Sequence, residues 1–72
     1  MVRHETKKKS LWQKIEAARV LKGLTQRQLA EKVGTREIEI SRIETGRISP
    51  DVALKQRIAD VLGKPTFELF VG

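Results

Sequence analysis

The stretch Thr25-Gln-Arg-Gln-Leu-Ala-Glu-Lys-Val-Gly34-Thr-Arg-Glu-Ile-Glu-Ile-Ser-Arg-Ile-Glu44 reads as two short amphipathic helices hinged at one glycine. Leu29, Ala30 and Val33 fall at helical spacing before Gly34, and Ile40 and Ile43 do so after it, so each segment has an apolar face to bury against a common core. Gly34 stands where the first segment must stop and the chain must turn sharply, a position that favours a residue free to take positive φ. A helix, a short turn and a second helix of this size form the unit that lays its second helix in a DNA major groove.

The flanking sequence extends the helical pattern in both directions. Leu11, Ile15 and Ala18 follow an i, i+4, i+7 rule with Leu21 close to the same stripe, which predicts a helix that stops near Lys22-Gly23. Trp12 lies beside that stripe and is expected to cover the core. Thr25 and Gln28 make a capping-box pattern at the start of the second helix. The third helix is predicted over about Arg36 to Thr45, with Gly46 ending it. Pro50 interrupts the chain, Ser49 or Asp51 is expected to cap a fourth helix, and Leu54, Ile58, Val61 and Leu62 form its apolar side. After Gly63 and Pro65, Thr66 is expected to cap a last short turn containing Phe67, Leu69 and Phe70. The absence of any strand pattern, repeat or low-complexity segment makes the expected fold class all-α.

A chain of 72 residues makes one domain with a marginal core, since a domain this small buries only about 60% of the surface of its unfolded chain. It lacks cysteine, so disulfides and thiolate metal sites are excluded. No run approaches the roughly 18 apolar residues of a membrane span, and no apolar stretch follows the basic amino terminus; a soluble, unsecreted, cytoplasmic protein is expected. A net charge of +6 suits a polyanionic partner. Residues 1–10, with Lys7-Lys8-Lys9, are expected to be a flexible basic arm, either simply solvated or touching phosphate or the minor groove, and residues 11–72 the folded domain. His4 is alone, without a second ligand at metal-binding spacing, and no serine has a histidine near it as a base, so neither a metal site nor a nucleophilic centre is expected.

Helical geometry puts Glu37, Ile38, Ser41 and Arg42 on the side of the third helix opposite Ile40 and Ile43. Ile38 is the informative member, because an aliphatic residue has no folding reason to point outward yet packs well on a thymine methyl. Arg42 can take a guanine edge and Glu37 can accept from cytosine N4. The alternative is a solvated face whose charges pair weakly. Phosphate contacts are expected at the rims of the face, from Lys22, Gln26, Arg27 and Arg47, helped by the free amides at the start of the second helix. Ser41 is assigned to the phosphate-contacting set as well.

The segments Gly-Leu-Thr-Gln-Arg-Gln-Leu-Ala-Glu-Lys-Val-Gly (23–34) and Ile-Ser-Arg-Ile-Glu-x-Gly-Arg (40–47), with Pro50 and Ile58-Ala-x-x-Leu-Gly63, resemble the Cro/C1-type (Xre-like) helix-turn-helix family. The resemblance runs from about Leu11 to Phe70 and implies a compact five-helix, lambda-repressor-like domain. It implies base reading by Arg36, Glu37, Ile38 and Arg42, phosphate contacts by Gln26, Thr45 and Arg47, and a structural pair between Arg19 and Glu44. Two departures stand out. Arg36 occupies a position where the family commonly has Ser or Thr as a cap, so the cap is expected to be weaker or supplied by Thr35. Glu37 and Glu39 bring negative charge into a helix that should approach DNA, a cost unless a base donor faces Glu37.

The function expected from these readings is a sequence-specific transcriptional regulator, a repressor whose third helix enters the major groove of a palindromic operator. Its expected partners are double-stranded DNA and a second copy of itself, at least on DNA, with Phe67, Phe70 and Val71 as the dimer seam; no cofactor, membrane or catalytic activity is expected. The alternative is a protein-interaction module on the same scaffold, such as an antitoxin or a coactivator-like bridging factor, using the same apolar carboxyl terminus. Burial of Phe67 and Phe70 is the default expectation for so small a core, and exposure of Phe70 and Val71 favours a partner. An enzyme would need a substrate-sized pocket with converging polar groups.

Overall fold

A computed structural model describes residues 14–70 of the chain. They form helices only: α1 over residues 14–21, α2 Gln26–Val33, α3 Glu37–Glu44, α4 Val52–Leu62 and α5 Thr66–Leu69. Residues 1–13, with the basic arm, His4, Leu11 and Trp12, and residues 71–72, with Val71, lie outside the described residues.

Each boundary has a local cause. At α2 both halves of the capping box are present: Gln28 N–H donates to Thr25 Oγ1 at 3.0 Å and Thr25 N–H to Gln28 Oε1 at 2.9 Å. The helix ends at Gly34 with φ 78°, where the Gly34 and Thr35 amides both turn back to the Ala30 carbonyl. A β-carbon on Gly34 would meet nothing within 4 Å, so the position asks for glycine through its backbone angle and not through lack of room. α4 is capped by Asp51, whose Oδ1 accepts from Leu54 N–H at 2.9 Å; Ser49, the other candidate, takes no such part. α3 is one residue shorter at each end than its periodicity suggests, because Arg36 and Thr45 hold the two capping positions.

The core takes Ile15 and Ala18 from α1, Leu29, Ala30 and Val33 from α2, and Ile40 and Ile43 from α3, closed by Ile58, Ala59 and Leu62 of α4 and Leu69 of α5. Three expectations are corrected. Leu21 is 83% exposed: successive three-residue steps from Ile15 through Ala18 drift about 60° each around the helix, and the stripe at the end of α1 passes to buried Arg19. Phe67 is 72% exposed, because α5 has a single inward face and Leu69, about 200° away, occupies it. Phe70 is half-buried against the core with the Lys55 ammonium 5.6 Å from its ring centroid. Thr66 does not cap α5; Pro65 holds the N-cap position, leaving Thr66 as the first helical residue and its carbonyl as acceptor of the Phe70 amide at 2.8 Å.

Candidate nucleic-acid interface

α3 carries its apolar residues on two unequal sides. Ile40 and Ile43 are fully buried, whereas Ile38 is 49% exposed between exposed Glu37 and half-buried Ser41. Gln26, at the start of α2, joins Glu37, Ile38 and Ser41 around one shallow concavity. Arg42 is exposed one helical turn beyond Ile38, and Arg36 is exposed at the amino-terminal end of α3. The four residues expected to read bases are therefore accessible from solvent, and α2 and α3 together shape the surface between them.

The α3 amino terminus lacks a side-chain cap. Thr35 does not supply one: its hydroxyl donates to Glu39 Oε1 at 3.2 Å instead of accepting from an α3 amide. Both first-turn carboxylates sit favourably at the positive end of the helix dipole. They differ in direction, since Glu39 is half-buried and tied to Thr35 while Glu37 is exposed. Of the two acidic residues, only Glu37 adds charge to the Ile38 face.

The opposite end of α3 is fixed by a buried ion pair. Arg19 Nε donates to Glu44 Oε2 at 2.6 Å and Nη2 to Oε1 at 3.1 Å, a two-bond fork, while Nη1 reaches the Leu24 carbonyl at 2.8 Å. The residues are 8% and 6% exposed, so water does little to screen the pair. The hydrogen bond to Glu44 raises the Arg19 pKa above its ordinary value; burial opposes this, and the charges of Glu44 and Glu16 add to it. Gln26 Nε2 donates to the same Glu44 Oε1 at 2.9 Å, a contact not visible from the sequence because nothing at residue 26 announces a partner 18 positions away.

The basic rim divides in two. Arg27 is exposed, its Nε 3.7 Å from the exposed Glu31 carboxylate, a contact too weak in water to hold the guanidinium away from another anion. Arg47 is exposed beyond Gly46, with its amide bonded to the Arg42 carbonyl at 2.8 Å. The Thr45 hydroxyl donates to the Ser41 and Arg42 carbonyls at 3.0 and 3.2 Å, so a phosphate at Thr45 must compete for that proton. Lys22 lies elsewhere. A β-carbon at Gly63 would stand 3.4 Å from its Nζ, and it shares a separate concavity with Leu24, Lys32 and Val61, away from the one formed by Gln26, Glu37, Ile38 and Ser41.

A residue with no signal in the sequence also reaches this region. Arg57, on α4, donates from Nε to the Val33 carbonyl at the end of α2, at 2.9 Å. Among the described residues no group of His, Cys, Asp or Glu is placed to hold a metal ion, and no helix is long and apolar enough to cross a membrane.

A family model described as helix-turn-helix matches residues 15–69. An uncharacterized HTH-type transcriptional regulator of Methanothermobacter thermautotrophicus is 48% identical over 46 residues, 64% of this chain and 67% of the relative. A second protein with that description, from Archaeoglobus fulgidus, is 36% identical over 58 residues, 81% of this chain and 83% of the relative. No solved structure matches the chain.

Proposed function

The chain belongs to the Cro/C1-type helix-turn-helix family and is a non-enzymatic DNA-binding regulator of transcription; from that premise we propose that it is a repressor reading a palindromic operator with α3. The observation that carries the reading is Ile38: half-exposed at the centre of the outward face of α3, flanked by Glu37 and Arg42, on a helix whose other isoleucines are fully buried. An aliphatic side chain in that place is suited to a thymine methyl. Arg42 offers a bidentate fork to a guanine, Glu37 an acceptor to a cytosine amino group, and Arg36 stands where α3 enters the groove.

Phosphates on either side are met by Gln26, Arg27 and Arg47, with Ser41 and Thr45 as hydroxyl donors. Gln26 gives one Nε2 hydrogen to Glu44 and keeps the other for a phosphate oxygen. Lys22, exposed on a separate concavity, is a further phosphate contact at the outer rim. The protein acts as a homodimer in the cytoplasm, its recognition helices about 34 Å apart to meet successive turns of one DNA face, and represses by occupying the site. Exposed Phe67 supplies apolar area for the dimer seam. That exposure equally favours a protein-interaction module, the second reading, in which the same face takes a different protein.

Selection from a random duplex library tests the proposal. A recovered palindrome with half-sites one helical turn apart supports it, and retention of sequences without a common motif refutes sequence-specific reading.

A further inference from the structure

α3 packs on the core through Ile40 and Ile43 and is held near each end by a polar contact from another helix. At its carboxyl end Glu44 is gripped by Arg19. At its amino end the chain reaches α2 through Gly34, Thr35 and Arg36 alone, and the last α2 carbonyl, Val33, accepts from Arg57 Nε at 2.9 Å. That carbonyl is one of those a helix end leaves without an intrahelical partner, and a guanidinium there also meets the negative end of the α2 dipole. Arg57 lies 24 residues from Val33, so the bond pins the hinge to α4.

We propose that Arg57 is a positioning residue for base recognition: by holding the Val33 carbonyl it sets the tilt of α3 and thereby the depth at which Glu37 and Ile38 enter the groove. The inference rests on the reading of α3 as the base-reading helix. Its physical content is a lever. With Glu44 clamped, a shift at the hinge turns α3 about its far end. Ile38 is about 9 Å from that fulcrum along the helix axis and Arg42 about 3 Å, at about 1.5 Å per residue. A given tilt therefore displaces Ile38 about three times as far as Arg42. Loss of the Arg57 bond blurs reading near the amino end of α3 and spares reading near its carboxyl end, a graded pattern that neither a phosphate contact nor a general stabilising role produces.

The test uses the full chain with Arg57→Met, which keeps the aliphatic stem, and Arg57→Lys, which keeps charge and a donor. Each is put through duplex selection and a salt titration beside the parent protein. Glu37→Ala and Ile38→Ala in the parent background identify the base pairs those residues read. Arg57→Met is expected to lower discrimination at those base pairs about fivefold or more, the lower end of one base contact, while the Arg42 base pair stays within about twofold and Arg57→Lys restores most of the loss. The inference is overturned if Arg57→Met selects the parental motif unchanged, if all positions weaken together, or if the motif holds while the salt slope falls by about one, the signature of a phosphate contact. If Glu37→Ala and Ile38→Ala leave the motif untouched, the reading of α3 itself fails, an outcome distinct from failure of Arg57 alone.

Discussion

Gln26 and Arg19 bind the same carboxylate: both donate to Glu44 Oε1, at 2.9 and 3.1 Å, so the solvent-facing start of α2 and the buried end of α1 meet at one residue of α3. Glu44 thus joins three helices. Its truncation would leave the Arg19 guanidinium buried with the Leu24 carbonyl as its one hydrogen-bond partner among the described residues.

Glu44→Ala is expected to cost about 3–5 kcal/mol, the range for removing one member of a buried pair. Urea unfolding followed by circular dichroism checks it, and a loss below about 1 kcal/mol would show that the pair behaves as an exposed one. The sign of the pH dependence also follows. The folded Arg19 pKa is raised, so its contribution is fully present below the ordinary arginine range and is lost only as pH rises through the raised value. Titration of Arg19 therefore adds no slope to stability between about pH 6 and 9, where arginine stays protonated.

Arg42→Ala is expected to weaken operator binding by about 1–3 kcal/mol and to relax preference at one base pair. Arg47→Ala and Arg27→Ala are expected to weaken all sequences alike and to lower the salt slope by about one each. Binding isotherms at several salt concentrations, on the selected duplex and on scrambled DNA, separate the two behaviours. A uniform loss with Arg42→Ala would make Arg42 a backbone contact.

Phe67→Asp is expected to shift the protein toward monomer in sedimentation equilibrium with little loss of fold, because the ring is exposed. Affinity for a full palindrome should then approach that for a half-site. An unchanged oligomeric state would take Phe67 out of the seam.

Gly34→Ala is expected to destabilise the protein by about 1–2 kcal/mol, although the added methyl meets no atom, because the residue must keep a left-handed backbone. Thermal unfolding measures the loss. No loss would mean that the turn relaxes to another conformation.

How legible the protein was depended on the range of the interaction. Local patterns carried the capping box at Thr25 and Gln28, the stop at Gly34 and the burial of Ile40 and Ile43, because each is decided within one or two helical turns. The same local rules place Glu37, Ile38 and Arg42 on an exposed face. Phe67 and Leu21 were misjudged because apolar character was taken for burial where a helix end turns its face away. The closeness of the Lys22 ammonium to Gly63 is likewise set by the fold and has no local signal. The Arg57 bond to Val33 and the Gln26 bond to Glu44 join residues distant in sequence, and periodicity has no means of pairing them.

The uncapped start of α3 has a kinetic consequence. With Arg36 in the N-cap position and the Thr35 hydroxyl turned to Glu39, the first amides of the helix lack the side-chain acceptor that slows fraying elsewhere. The turn that bears Glu37 and Ile38 is expected to open to solvent more readily than the clamped turn at Glu44. On the proposed reading of α3 as the base-reading helix, ordering that turn on DNA is expected to subtract from affinity on every site. A correct operator is expected to repay the subtraction with contacts that an incorrect one lacks, which would concentrate discrimination in the dissociation rate.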